Sequence, residues 1–244
     1  MKYKNLKIMN SILKKVLTYL VLPLIIVGLT WAIVQSVMEP VNFNKHRAYR
    51  ESVAIQRLKD IRDLQVAFKN VNGRYASTID SLKLFYNEGK MKITMNVGSK
   101  DDSLAMAHTE AIKKKFRHLK GEKLNAKLNE LYHAGDQNLV FQIVTEIPVK
   151  DTIFHNRPDF KVDELELIPF SGGDSIIMES TVKTVSGVKV PLFEASMPFK
   201  SLLKGLEPEQ LRINLDAERE DQGRYKGLQV GSITAPNNNA GNWE

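Results

Sequence analysis

The sequence predicts an α+β domain tethered by a membrane helix, and three observations carry that expectation. Residues 16–38 form one uncharged apolar run. A helical apolar period follows it, over about 46–71. Beyond Gly135 the period changes to two, with Gly-containing turns between the runs. The order is therefore anchor, soluble amphipathic helix, mixed region, then antiparallel strands. Such an order places helices on one face of a mostly antiparallel sheet. The expected divisions are a cytoplasmic basic N-terminus over 1–15, a transmembrane helix over 16–38, an exported domain over 39–234 and a flexible tail over 235–244.

The chain has 244 residues, of which 43% are hydrophobic and 26% charged, enough for one domain plus an anchor. It contains no cysteine, which excludes disulfides, thiolate metal sites and a cysteine nucleophile. The net charge is +7, but Lys2, Lys4, Lys7, Lys14 and Lys15 precede the uncharged run, so residues 39–244 carry only +2. The basicity belongs to the membrane flank, and no nucleic-acid partner is expected.

The run from Val16 to Met38 is 23 residues long, against about 20 needed to cross a hydrocarbon core. Pro23 and Gly28 are tolerable in a lipid helix, and Tyr19 and Trp31 suit the two interfaces. A signal peptide would have a shorter apolar region, about 7–15 residues, ahead of a small-residue cleavage site. Gln35-Ser36-Val37-Met38-Glu39-Pro40 fits that poorly, so the span is expected to be retained. Five lysines lie before it. Lys45, Arg47 and Arg50 are the basic residues just after it. The positive-inside rule then favours a cytoplasmic N-terminus and a periplasmic C-terminal domain in the inner membrane.

In the next segment Ala54, Leu58, Ile61, Leu64 or Gln65, Phe68 and Val71 recur at steps of three and four, making one apolar stripe. Arg57, Lys59, Asp60, Arg62, Asp63 and Lys69 fill the other faces. The stripe of Leu58, Ile61, Leu64 and Phe68 is expected to pack on the protein's own sheet; the alternative is a seam between subunits. Asn72-Gly73 ends the helix, since Gly73 takes a left-handed conformation at low cost. Ser77 or Thr78 then caps a second helix, with Asp80 in its first turn. Leu82, Leu84 and Phe85 would fold back on the first helix.

A basic N-terminus, an apolar span and a soluble helix bearing Arg50, Ala54, Ile55, Leu58 and Ile61, closed by Asn72-Gly73-Arg74-Tyr75, resembles the N-terminal region of type IV pilins and type II secretion pseudopilins. The resemblance covers the first third of the chain. It implies a structural or interaction component of a secretion or pilus-like machine. The chain departs from that pattern in two ways. Lys14-Lys15-Val16 lacks the glycine–aromatic processing site, and the span lacks the family's glutamate. The departures favour a pilin-like protein kept in the membrane over a filament subunit.

Further along, residues 91–97 alternate like a strand. Residues 101–133 read as helical, with Asp101, Asp102 or Ser103 as N-cap and Gly121 as an interruption. Lys113, Lys114, Arg117 and Lys120 mark a candidate basic docking face for an acidic partner or lipid headgroups; a solvated helix face is the plainer reading. Strands are expected over 138–149, 161–169 and 174–184, with Gly172-Gly173 turning between the last two. Ser186-Gly187 marks a hairpin, and residues 211–219 and 225–233 are expected to form another around Glu220-Asp221-Gln222-Gly223.

No chemical constellation emerges. His46, His108, His118, His133 and His155 show neither a paired-ligand spacing nor H-E-x-x-H, so no metal or cofactor is expected. Ser171-Gly172-Gly173-Asp174-Ser175 lacks the G-x-S-x-G nucleophile pattern and has turn composition. Asp159, Asp163 and Glu164 are carboxylates without an evident partner. The expectation is a non-enzymatic single-pass protein of a bacterial envelope assembly. Its partners would be the bilayer, other envelope proteins and, in an oligomer, a second copy. The alternative is a membrane-anchored sensor or ligand- or peptide-binding module.

Overall fold

The computed structural model describes residues 13–244; Lys2, Lys4 and Lys7 of the basic flank lie outside the described residues. One helix runs without interruption from Leu13 to Asn72, 60 residues in all. It includes a π-helical turn at Leu17–Val21 and then α1, Leu22–Asn72. The wider turn sits just ahead of Pro23, whose ring and missing N–H disturb the ordinary i→i−4 ladder. The most apolar 18-residue window has a mean hydropathy of 2.3 and is wholly uncovered by the rest of the chain. It is the one helix among the described residues long and apolar enough to cross a membrane. Pro40 lies inside α1 and does not end it. The sequence led us to expect a helix from about residue 46; the structure joins it to the span without a break.

The lower half of α1 is the spine of the domain. Ala54, Leu58, Ile61 and Leu64 are fully buried, and so is Gln65. Burial of each large aliphatic side chain contributes about 1.5–3 kcal/mol. Phe68 is partly buried against the same cluster, whereas Val71 is exposed as the stripe runs past the core. Gly73 closes α1 with φ 72° and donates its N–H to Lys69 O at 2.7 Å. Thr78 caps α2, Ile79–Glu88, by accepting from Ser81 N at 3.3 Å. Leu82 and Phe85 of α2 return to the core; Leu84 faces solvent.

The strands form two antiparallel sheets where the sequence led us to expect one. β1 (Lys90–Val97) pairs with β2 (Phe141–Pro148), and between them lie α3 (Ser103–Lys115) and α4 (Glu122–His133). Asp102 caps α3, and Gly121 separates the two helices. This insertion closes on its own small core of Ile112, Leu128, Leu139 and Phe141. That separate core is why its ribbon has no need to join the main sheet. A short helix α5, Val149–Thr152, leads back to the main domain.

The second sheet has the order β3–β4–β5, with β3 at Ile177–Val185, β4 at Val188–Pro198 and β5 at Gly227–Gly231. Ser186 (φ 51°) and Gly187 (φ 83°) make the two-residue turn between β3 and β4. Phe193, Ala195 and Met197 of β4 and Leu228 and Val230 of β5 meet α1 in the core. The short helix α6, Phe199–Leu202, adds Phe199 and Leu202.

Three expected segments differ. Residues 161–169 are not a strand: Val162–Glu166 is a 3-10 turn, and only Leu167 makes a β-bridge, to Ser175. Acidic Asp163 and Glu164 sit in its first turn, where the N-terminal dipole favours them. Residues 209–221 are a helix, α7, not half of a hairpin. Leu211 and Leu215, one turn apart, pack on the core, and Arg212 pairs with both Glu209 and Asp216. The helical period and the i,i+3 and i,i+4 ion pairs outweigh the alternation of Leu211, Ile213 and Leu215. Lastly, the segment expected as a tail returns to β5 over residues 240–244, while residues 235–238 are exposed. Gly241 bridges Val230, and Asn242 bonds to Gln229 N (3.1 Å) and Gly227 O (2.9 Å).

Candidate functional site

The C-terminal half of α1 is the element on which the main domain packs, and its arginines tie loops to it. Arg50 donates to Leu202 O (3.1 Å) and Lys204 O (2.8 Å) and lies 5.0 Å over the Phe170 ring. Leu202 is the last residue of α6 and Lys204 follows its C-cap, so the guanidinium sits at the helix C-terminus, where a cation is favoured. Burial pulls the Arg50 pKa below its ordinary value. Arg57 donates to Leu167 O at 2.7 Å and meets Glu164 at 3.2 Å. Arg62 meets Glu244 at 2.7 Å, holding the C-terminal segment. Each arginine therefore clasps a loop that the strands alone would leave loose.

Between α1 and the 157–165 segment lies a cleft of about 330 Å³. Asp60, only 5% exposed, stands in its wall. It accepts from Gln56 Nε2 at 2.9 Å and from Arg157 Nη1. Arg157 also meets Asp159 at 3.1 Å. These bonds, to Asp159 first and Asp60 second, raise the Arg157 pKa, and they hold the Asp159 carboxyl below its usual range. A carboxylate buried this far requires a cation and a further donor, and both are present. Asp60 stood among the polar residues of the helix in the sequence. Its spacing one turn before Leu64 places it at the margin of the apolar stripe, and that spacing is the available signal. Nothing local marks Arg157, which comes from 97 residues further along the chain.

The Asn72-Gly73-Arg74-Tyr75 stretch is a helix stop followed by a core anchor. Gly73 turns the chain, Arg74 is exposed, and Tyr75 is buried against Phe193 with ring centroids 4.7 Å apart. The remaining candidates separate. Leu58, Ile61 and Leu64 lie together in the core, with Phe68 at its edge beside Phe85. On the inserted unit, Lys113 and Lys114 lie in the last turn of α3, whereas Arg117 and Lys120 fall in the loop before α4, so the four do not share one helix face. Lys113 meets Glu110 at 2.9 Å, whereas Lys114, Arg117 and Lys120 are exposed and without an ion pair among the described residues. Ser171 is buried and serves the Gly172-Gly173 turn: it donates to Ile168 O and accepts from Asp174 N. His108 pairs with Asp136 at 2.8 Å. Among the described residues, no three or more histidine or carboxylate side chains gather as metal ligands would.

The insertion carries a second cleft, of about 450 Å³, between α4 and β2. One wall is five consecutive strand residues, Gln142 to Glu146. The other is Glu122, Asn125, Ala126 and Asn129, one face of α4. No protein-family model, curated protein or solved structure matches the chain.

Proposed function

We propose that the chain is a non-enzymatic single-pass protein of a bacterial inner membrane. Its pilin-like domain faces the periplasm and serves as an interaction component of an envelope assembly, a secretion or pilus-like machine. One observation carries the reading: a single 60-residue helix is uncovered and apolar at one end and is the spine of a folded domain at the other. Residues 39–72 extend roughly 50 Å at the helical rise, so the domain is held by a rod and not by a flexible linker. Phe43, five residues past the span, is already buried, which keeps the domain close to the bilayer. The order of span, stripe and Asn72-Gly73-Arg74-Tyr75 supports the likeness to pilins. The absence of a glutamate from the span favours a permanent membrane component over a filament subunit.

Extraction in a mild detergent followed by affinity purification tests this reading. Partner proteins are expected to co-purify in fixed proportion. A chain that emerges alone with a tightly held small molecule would replace it with the sensor or binding-module reading.

A further inference from the structure

We infer that the inserted unit, residues 90–148, binds an extended segment of another envelope protein, which adds as a strand to the free edge of β2 beside α4. This rests on the reading of the domain as an assembly component and names how it takes a partner.

The ladder fixes which peptide groups face outward. Val149 N donates to Gly89 O at 3.0 Å, in the same register as Lys90↔Pro148. In an antiparallel pair the bonded positions alternate. Residues 141, 143, 145 and 147 therefore bond to β1, and Gln142, Val144 and Glu146 turn their N–H and C=O groups away from it. Pro148 agrees with this phase, since its missing N–H falls on the outer side. At the other end Val140 turns outward as well, and its N–H is taken by Thr109 Oγ1 of α3 at 2.8 Å. For Gln142, Val144 and Glu146 no partner exists among the described residues.

The cleft follows this row. Side chains of consecutive strand residues point to opposite faces, so a depression lined by all of 142–146 reaches the edge and is not confined to one face; the long side chain of Lys92 from β1 closes it at the Glu146 end. The α4 wall has the i, i+3, i+4 and i+7 spacing of one helix face. Asn129 Oδ1 on that wall is buried and lacks a donor. A strand edge beside a helix is the geometry of strand addition, where main-chain bonds supply affinity and the flanking side chains supply choice. Glu122 and Glu146 share one cation, Lys92, at 3.5 and 3.9 Å. That leaves a negative charge at this end of the cleft. The segment taken up carries Lys or Arg there.

The test uses the full chain in detergent micelles and acetylated Thr/Val-alternating heptapeptides ending in Lys, Ser or Glu. Lys-ended peptides are expected to bind, at least tenfold tighter than Glu-ended ones. Val144→Pro removes an outward N–H and spares the β1 ladder. Ala126→Trp fills the cleft from an exposed position. Each is expected to weaken binding at least tenfold while melting like the wild type. Ala126→Trp remains informative if Val144→Pro unfolds the ribbon. No peptide binding, no charge preference, or binding unchanged in Ala126→Trp overturns the inference. Preferential binding of peptides copied from this chain would make the occupant a second copy and overturn it too. Partners that still co-purify with Ala126→Trp would leave the assembly reading standing while this one falls.

Discussion

The side-chain amide of Gln65 holds both main-chain groups of Ala76. Its Oε1 accepts from Ala76 N at 2.8 Å and its Nε2 donates to Ala76 O at 3.0 Å. Gln65 is fully buried and Ala76 is 2% exposed, so neither backbone group has water as an alternative. This clasp fixes the chain immediately after Gly73 and Tyr75, and so sets where α2 begins. Gln65→Leu keeps the volume and removes both bonds. It is expected to cost about 2–4 kcal/mol, the penalty for two buried unpaired groups. Thermal melts of the anchor-free fragment beginning at Glu39 measure this; an unchanged melting temperature would show the clasp to be dispensable.

Leu58, Ile61 and Leu64 of α1 lie in the core. Leu58→Asp or Ile61→Asp would place an unpaired charge where each side chain is fully buried. The expected loss is several kcal/mol out of a typical total of about 5–15. Circular dichroism of the same fragment should show unfolding or aggregation. A well-folded Ile61→Asp fragment that fails only in association would make the stripe an inter-subunit seam.

Arg157 neutralises a carboxylate that α1 buries. Arg157→Ala leaves Asp60 without its cation and is expected to cost roughly 2–3 kcal/mol. That is below the 3–5 of a fully buried pair because the Arg157 side chain stays 29% exposed. Adding Asp60→Asn should restore part of the loss. Denaturant titration of the single and double variants gives the coupling, and additive effects would show that the pair does not interact.

Lys83 and Glu166 tie α2 to the 3-10 turn at 2.8 Å. Their hydrogen bond raises the Lys83 pKa and lowers that of Glu166. A depressed carboxyl contributes stability above its unfolded pKa and loses it as pH falls through the folded value. A raised amine contributes below its unfolded pKa and loses it as pH rises through the folded value. The pair therefore stabilises across the neutral range and weakens at both extremes. Asp159, Glu164 and Glu244 are shifted in the same direction as Glu166 and share the acid limb. Glu166→Gln should make melting temperature less dependent on pH between the unfolded carboxylate value and the lowered folded one; an acid limb identical to wild type would contradict the assignment.

Legibility in the sequence followed the range of the interactions. The long apolar helix was legible from an unbroken uncharged run, and the Leu58–Ile61–Leu64 stripe from its helical period. Gly73 and Ser186-Gly187 were legible because the turns need positive φ. Residues 209–221 were misread because Leu211, Ile213 and Leu215 alternate while Leu211 and Leu215 are also one helical turn apart. The ion pairs of Arg212 broke the tie. Residues 235–244 look like solvent-seeking chain, yet Asn242 places its amide between two backbone groups of β5. The Asp60–Arg157 pair and the β2–α4 cleft depend on contacts between distant segments, which no local pattern announces. The division into two sheets has the same origin, a second small core closed by the insertion.

In the proposed arrangement an uncleaved span holds a folded domain outside the cytoplasm. Protease added to spheroplasts, followed by intact-mass analysis of the membrane fraction, tests it in one measurement. The domain is expected to be digested while a membrane-protected N-terminal fragment containing residues 16–38 survives. Full protection of the domain would place it in the cytoplasm, and a chain whose N-terminus begins beyond Gln35 would show the span to be a removed signal.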